Sequence, residues 1–191
     1  MIKLNVPIPE NEIRKLRVGD TVSLNGVIVT ARDAAHKLMV EERPDFIRDV
    51  LKESEIYHCG PVVKQDESGN WSFVSAGPTT SAREEPYQAD VIEEYNVRGV
   101  IGKGGMGAKT AEGLKKSGAV YFHAVGGAGT LIANAVKKVL TVHKLEEFGT
   151  PEAFWVIEVE NFPLVVTMDS QGGSLHKDIL EKSTKIAREL I

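Results

Sequence analysis

Residues 97–118 read VRGVIGKGGMGAKTAEGLKKSG, and this stretch decides the fold class. A short apolar strand is predicted over VRGVIG, followed by a glycine-rich turn and a helix over AKTAEGLKKSG. The same order recurs where AVYFHAV and GGAGT precede a predicted helix, LIANAVKKVL. It recurs again where FWVIEVE, FPLVVTMD and SQGGS precede the predicted helix LHKDILEKSTKIAREL. Three such units predict an α/β fold with parallel connections between strands.

The first half of the chain is predicted to be rich in β-structure. Strands are expected over KLNVPI, TVSLNGVIVTA, EIYHCGPVVK and WSFVSAG, with turns at VGD, LNG and DESGN. Two short helices are expected over RDAAHKLMVEE and PDFIRDVLKE. No linker or low-complexity segment interrupts the 191 residues, so a single domain over residues 1–191 is predicted.

Composition narrows the class of protein. The chain is 42% hydrophobic and 26% charged, as is usual for a globular protein, and its net charge of -4 argues against a nucleic-acid surface. It has no apolar run of about 18 residues, the length that would predict a membrane span. Residues 1–16 lack the apolar segment of a signal peptide, so a cytoplasmic location is expected.

The only cysteine is Cys59, in IYHCGPV. One thiol forms no internal disulfide and does not supply the set of thiolates that normally holds an iron–sulfur cluster or a structural zinc ion. A buried, apolar cysteine is the expected interpretation.

Two nucleotide-binding patterns overlap in the opening stretch. Gly102, Gly104 and Gly107 match G-x-G-x-x-G, a pattern typical of dinucleotide sites, but no carboxylate for a ribose follows in YFHAVGGAG. A Walker A loop requires glycine where the chain has Ala108. Both nucleotide interpretations are therefore disfavoured. A helix N-terminus that binds a small anion remains, next to Lys103.

Two further stretches carry polar residues at predicted junctions. In SAGPTTSAREEPY, Thr79, Thr80 or Ser81 is expected to cap a helix, and Arg83 lies one turn beyond Thr79. In VTARDAAHKLMVEE, Arg32 ends a predicted strand before a helix that Asp33 is expected to cap and whose His36 is expected to face inward.

Three cations, Arg32, Arg83 and Lys103, thus lie at predicted strand-to-helix junctions. If these junctions converge, they form an anion site suited to a small di-acid, because guanidinium groups bind carboxylates through paired hydrogen bonds.

Four motifs together resemble one family: TARDAAHK, GPTTSAR, GKGGMG and FGTPEAFWVIEVENFPLVVTMDSQG. The chain is similar over nearly its whole length to the β-subunit, or C-terminal domain, of class I fumarate hydratase and L-tartrate dehydratase. The resemblance implies a swivelling β/β/α-type domain, with a mixed, barrel-like sheet and helices packed outside. It also implies a [4Fe–4S]-dependent hydro-lyase acting on a C4 dicarboxylate, with the cluster held by a partner α-subunit and not by this chain.

Carried over position by position, the resemblance implies that Arg32, Thr79, Arg83 and Lys103 contact substrate. The partner's iron would act as a Lewis acid, and the three cations would stabilise an aci-carboxylate intermediate. Thr79 would accept the proton or merely position the substrate, and with Lys103 it is the predicted catalytic pair. Fumarate hydration is the expected reaction and L-tartrate dehydration the alternative.

The resemblance leaves several residue roles and the assembly unassigned. Glu84 stands where the family usually has methionine, so it is expected to pair with Arg83 or to change the polarity of the pocket. The roles of His36, His123 and His176 are unassigned. The partner assembly is expected to contain two copies of each subunit, or a homodimer of this chain. A non-catalytic docking module and a nucleotide-binding domain remain competing classes.

Overall fold

The structure, a computed structural model, describes residues 1–190. Within that range the strands are β1 (Ile2–Asn5), β2 (Thr21–Thr30), β3 (Glu55–Tyr57), β4 (Val62–Gln65), β5 (Trp71–Ser75), β6 (Gly99–Gly102), β7 (Val120–His123), β8 (Val136–His143) and β9 (Phe154–Met168). The α-helices are α1 (Glu10–Ile13), α2 (Asp33–Glu41), α3 (Arg48–Leu51), α4 (Gln88–Tyr95), α5 (Ala108–Ser117), α6 (Gly129–Ala133), α7 (Leu145–Phe148) and α8 (Leu175–Glu189). Short 3₁₀ turns cover Asp45–Ile47 and Ser81–Glu84.

Five strands close into a mixed, barrel-like sheet in the order β2, β3, β6, β7, β9, with β9 pairing back to β2. The first four run parallel, and β9 is antiparallel to both β2 and β7. β1 extends the sheet beside β2, β8 extends it beside β9, and β4 and β5 form a separate hairpin. The predicted α/β fold with a mixed, barrel-like sheet is confirmed.

Alternation along the strands divides the core into two apolar clusters. Ile101 belongs to one cluster and its neighbour Val100 to the other, because successive strand residues point to opposite faces. The cluster with Val100 also contains the buried residues of α2, α3, α4 and α5, so these helices cover the outside of the barrel. The cluster with Ile101 contains Phe122, Trp155 and Ile157 and fills the inner side.

The predicted helix over LIANAVKKVL is wrong in its second half. Helix α6 ends at Ala133, and residues 136–143 form strand β8. Val136, Val139 and Val142 recur every third residue, which resembles a helical period. Two irregularities in the register of β8 against β9, however, keep all three valines half-buried on a strand.

Three other boundaries differ from the expectation. β2 runs through the expected LNG turn, because Gly26, at φ +116°, absorbs a shift in register against β9. The segments FWVIEVE and FPLVVTMD form one 15-residue strand, β9. The expected strand over EIYHCGPVVK is divided between β3 and β4.

In the part of the chain that the structure covers, no helix combines the length and the apolar character needed to cross a lipid bilayer.

Candidate active site

The site lies where parallel strands of the barrel end. Arg32 follows β2, His58 follows β3, Lys103 follows β6, and His123 is the last residue of β7. Because β2, β3, β6 and β7 are parallel neighbours, these residues lie along one edge of the sheet. Ligands of open α/β sheets commonly bind outside this edge.

Thr79 reaches that edge through the backbone. Its N–H donates to the His58 carbonyl at 2.7 Å, and its carbonyl accepts from the Lys103 N–H at 3.2 Å. The loop therefore lies beside the end of β6 although its preceding strand, β5, is outside the barrel. The structure thus places the backbones of Thr79 and Lys103 side by side.

Arg32 is held in a half-buried position near the same loop. A Cβ on Gly60 would lie 2.4 Å from one terminal nitrogen of the Arg32 guanidinium, so glycine leaves room for this side chain. Its Nε lies 3.4 Å from Oε1 of Glu152, whose Oε2 accepts the Ala34 N–H at 3.0 Å. Glu152 thus caps α2, and the expectation that Asp33 caps this helix is wrong.

Arg83 belongs to the 3₁₀ turn Ser81–Glu84 rather than to the end of a barrel strand. Its guanidinium donates to Oδ2 of Asp33, which is the residue next to Arg32. Its side chain is 55% exposed, so a ligand has access to it. Asp33 therefore draws Arg83 toward Arg32, and both arginines already contact carboxylates of this chain.

Lys103 and Thr79 have uncommitted polar groups. Within residues 1–190, neither the Lys103 ammonium nor the Thr79 hydroxyl makes a side-chain hydrogen bond or an ion pair. Both residues are half-buried. A half-buried ammonium without a partner is a strong attractor for an anionic group.

Glu84 lies under this cluster and is fully buried. Neither of its carboxyl oxygens has a hydrogen-bond partner among the described residues. Burial, followed by the nearby Asp33, raises the pKa of Glu84 to about 8, so this carboxyl group is neutral at pH 7. Glu84 thus changes the polarity of the pocket by placing a neutral acid next to the Asp33–Arg83 pair. It forms no ion pair with Arg83.

A buried polar network lies beneath the same edge, between the barrel and helices α2 and α4. The Gln88 amide oxygen lies 3.0 Å from Nε2 of His36 and 2.7 Å from Nε2 of His58. Nδ1 of His58 lies 2.8 Å from Oγ of Ser81, which lies 2.8 Å from the hydroxyl of Tyr121. All five residues are fully buried.

Burial lowers the pKa of His36 and holds the pKa of His58 well below its ordinary value. Both rings are therefore neutral. The inward position expected for His36 is confirmed. No motif in the sequence marks His58, Gln88 or Tyr121 as site residues. The position of His58 directly after an apolar strand was the available signal.

Glycines within residues 97–118 make room for neighbouring side chains. A Cβ on Gly102 would lie 1.9 Å from Oγ of Ser81, so only glycine leaves room for the network. A Cβ on Gly105 would lie 2.4 Å from the His176 ring, and Gly105 also has φ +77°. Neither requirement involves a phosphate group.

The expectation that the N-terminus of α5 binds the di-acid is wrong, because Glu85 already occupies it. One carboxylate oxygen of Glu85 accepts from the Gly107 N–H and the Thr110 hydroxyl, each at 2.7 Å, and the other accepts from the Thr110 N–H at 3.2 Å. A carboxylate here satisfies free backbone donors and complements the helix dipole. The nucleotide-binding interpretation also loses its phosphate site.

In the described residues, none of the side chains of Thr79, Thr80 and Ser81 caps a helix, contrary to the expectation. Thr80 begins the 3₁₀ turn without a side-chain hydrogen bond to it, and the Ser81 hydroxyl bonds to the buried network instead.

Two further histidines flank the Lys103 loop. His176 Nε2 lies 3.0 Å from the Thr167 hydroxyl, and its ring centroid lies 6.1 Å from that of His123. Nδ1 of His123 is buried, with no hydrogen-bond partner in residues 1–190. Burial lowers the pKa of both rings.

The residues of this chain do not fit an iron–sulfur cluster. Cys59 is fully buried beside Tyr57, and burial raises the pKa of its thiol to about 12, so no thiolate is available. In the described part of the chain, His, Cys, Asp and Glu form no group of three or more that could hold a metal ion. Any cluster chemistry would therefore need ligands from another polypeptide segment.

The fold and site define a class of domain, a mixed α/β barrel with an arginine and a lysine at the ends of its parallel strands and a threonine and a second arginine in the adjacent loop. The family model described as Fumarase C-terminus matches residues 1–179. The chain belongs to this family.

Three relatives show how the chain compares in length. It is 52% identical over 185 residues to a protein of Geobacillus stearothermophilus named as a fumarate hydratase class I, covering 96% of this chain and 35% of the relative. It is 42% identical to a Methanocaldococcus jannaschii protein named as an L(+)-tartrate dehydratase subunit beta, covering 96% of this chain and 95% of the relative. It is 39% identical to the Escherichia coli K12 L(+)-tartrate dehydratase subunit beta, covering 90% and 85%. The chain thus spans about a third of the first relative.

Proposed function

We propose that this chain is the β-subunit, or the equivalent domain, of a [4Fe–4S]-dependent hydro-lyase that reversibly hydrates fumarate to L-malate. The observation that carries the proposal is the pairing of Thr79 with Lys103 at the edge that also holds Arg32, with Arg83 bound to the neighbouring Asp33. Membership of the family and 52% identity to a relative named as a fumarate hydratase support it.

The arginines would orient the substrate. Each guanidinium contacts one carboxylate of this chain, Glu152 for Arg32 and Asp33 for Arg83, and keeps further N–H groups for a ligand. Two substrate carboxylates would bind to these groups and to Lys103, which fixes the C4 chain in one orientation.

Lys103 and Thr79 would serve the chemical step. When malate loses water, the carbon beside one carboxylate gives up a proton while the hydroxyl group leaves from the next carbon. The carboxylate then carries additional negative charge, and the unpaired Lys103 ammonium is placed to stabilise it. Thr79 would receive the departing proton as an alkoxide, which the nearby Lys103 ammonium and the arginines would stabilise, and would return to a neutral hydroxyl; otherwise its hydroxyl would hold the substrate for that transfer.

The remaining parts would come from a partner. We propose that a cluster-bearing α-subunit covers the exposed side of the site and that the complex is cytoplasmic, in an assembly with two copies of each subunit or a homodimer of this chain. The names of the two relatives called subunit beta support a partner. The purified chain should be colourless and inactive, and the complex should be brown. A cofactor absorbance from the chain alone would contradict the proposal.

Site variants in the reconstituted complex test the assignment. Lys103→Met, Arg83→Ala and Thr79→Ala should each lower kcat/KM for fumarate and malate at least tenfold, equivalent to about 1.4 kcal/mol of transition-state stabilisation. Lys115→Met is the matched control, because Lys115 is an exposed lysine in the last turn of α5. Near-wild-type kcat/KM in all three site variants would refute the site.

L-tartrate dehydration is the second candidate. The relatives whose lengths match this chain carry that name, which is the observation that favours it. Measuring kcat/KM for fumarate, L-malate and L-tartrate with one preparation of the complex decides between them. A higher kcat/KM for L-tartrate than for L-malate would replace the first candidate with the second.

A further inference from the structure

The buried network of His36, Gln88, His58, Ser81 and Tyr121 takes no part in the chemistry proposed above. Full burial of five polar side chains is costly unless their hydrogen bonds are satisfied. The network also lies directly beneath the edge that carries the site.

The backbone fixes the proton on one ring. Nδ1 of His36 lies 2.9 Å from the carbonyl oxygen of Arg32, and a carbonyl oxygen only accepts hydrogen bonds. Nδ1 of His36 therefore carries a hydrogen. Because the ring is neutral, its Nε2 carries a lone pair and must itself receive a hydrogen bond.

The Gln88 amide completes the assignment. With its oxygen toward the rings, that oxygen faces the lone pair on Nε2 of His36, and the amide nitrogen is buried without a partner in the described chain. Turning the amide by 180° removes the conflict at His36, because the NH2 group has two hydrogens and donates one to each Nε2. It also leaves one amide oxygen without a partner in place of two unused N–H donors. The two orientations have nearly the same shape, so the surrounding donors and acceptors decide between them.

We propose that Gln88 donates to both imidazole rings, and that the resulting network positions the backbones of Arg32, Thr79 and Lys103 for the reaction. This inference rests on the proposed function. His58 then donates from Nδ1 to the Ser81 hydroxyl, which also bonds to Tyr121. None of the five network residues touches substrate, so they are positioning residues.

Three backbone contacts connect the network to the site. His36 donates to the Arg32 carbonyl, and the His58 carbonyl accepts from the Thr79 N–H at 2.7 Å. The Ser81 N–H donates to the Lys103 carbonyl at 3.0 Å. A change in the buried rings would therefore displace all three site residues together. A network joined to only one segment would not have this effect.

Nitrogen-15 NMR of the histidine-labelled full chain tests the proton assignment without reference to activity. At pH 7, His36 and His58 should both be neutral, with hydrogen on Nδ1 and a bare Nε2. Gln88→Glu places a carboxylate, which only accepts, between the rings, so His36 should become an imidazolium there. Hydrogen on Nε2 of either ring in the unaltered protein would overturn the assignment.

Steady-state kinetics of the complex test the positioning role. His58→Asn keeps a side-chain N–H near the place of Nδ1, whereas His58→Leu removes it. His58→Leu should lower kcat/KM at least tenfold, mostly through a higher KM for the dicarboxylate, and His58→Asn should recover a large part of the loss. If His58→Leu stays within twofold of the unaltered complex while Lys103→Met is impaired, the positioning role is refuted and the proposed function survives. If Lys103→Met is also unimpaired, the proposed function itself fails. Should His58→Leu not fold, the NMR spectrum still decides the proton assignment, and the kinetics of Gln88→Glu in the complex, with an at least tenfold lower kcat/KM expected and a change within twofold refuting it, decide the positioning role.

Discussion

Replacing Glu84 by glutamine should make the protein more stable at neutral pH. The ordinary pKa of a glutamate is 4.5, and burial of Glu84 beside Asp33 raises its pKa to about 8. Between those two pH values the unfolded chain releases the proton of Glu84 while the folded chain keeps it. The unfolded state then binds fewer protons than the folded state, so the free energy of unfolding falls as pH rises.

The two pKa values set the size of this effect. Each pH unit above 4.5 costs about 1.36 kcal/mol until pH 8 is reached. The cost is about 3 kcal/mol at pH 7 and about 5 kcal/mol above pH 8. Glu84→Gln removes the titrating group, and its NH2 group keeps a donor beside Asp33 in place of the O–H of the neutral carboxyl group.

Urea unfolding followed by circular dichroism at pH 4.5, 6, 7 and 8.5 measures this prediction. The difference in free energy of unfolding between Glu84→Gln and the parent should be small at pH 4.5 and should grow in favour of the variant up to pH 8. Glu84→Met, which has no hydrogen-bond donor for Asp33, should show the same pH dependence of the free energy of unfolding.

Glu55→Gln tests the same reasoning at a second buried carboxyl group. Glu55 is also fully buried with both carboxyl oxygens unpartnered in residues 1–190, and burial raises its pKa well above the ordinary value. It lies in β3, before the end of that strand, so its replacement should change the pH dependence of stability without changing kcat/KM. A stability difference for Glu84→Gln that is the same at pH 4.5 and pH 8.5 would show that Glu84 is ionised in the folded protein and would refute the reasoning.

Three further outcomes are expected. The native Cys59 thiol should not react with a thiol reagent such as DTNB until guanidinium unfolds the chain. Cys59→Ala should leave the iron content of the complex unchanged. Rapid labelling of the native protein, or a loss of iron, would contradict this expectation. Glu85→Ala should lower the free energy of unfolding by about 1–3 kcal/mol, measured in urea against the exposed control Glu112→Ala, because three hydrogen bonds at the N-terminus of α5 are lost. Gly102→Ala should lower the free energy of unfolding by about 1–3 kcal/mol, because its Cβ would overlap Oγ of Ser81. Gly77→Ala is the control, because its Cβ meets nothing closer than 3.8 Å and should not destabilise the protein. Equal effects of the two substitutions would contradict the packing argument.

The sequence could predict the strand ends that carry the site because local patterns mark them. Lys103 directly follows an apolar strand and Arg32 follows another after one residue, and parallel strands bring their ends to one edge. The same reasoning failed at β8, where bulges make valines at every third position compatible with a strand. Local periodicity does not reveal a bulge, because the bulge depends on the partner strand.

The partners of the charged groups could not be predicted from the sequence. Glu152 follows Arg32 by 120 residues, and Glu85 caps a helix that begins 23 residues later, so neither contact leaves a local pattern. The family resemblance identified the four candidate residues and gave no information on which carboxylates hold the two arginines.

By itself the sequence determined the α/β class, the glycine loop beside Lys103 and the single cysteine, since strand alternation, backbone freedom and residue identity are local properties. Only the tertiary structure decided what the glycines are for: Gly102 makes room for Ser81 under the site, and the helix that begins at Ala108 is already capped by Glu85. The physical reason is that steric fit, burial and the pairing of charges depend on which distant segments meet, and burial of Glu84 shifts a proton equilibrium that its position in the sequence leaves at its ordinary value.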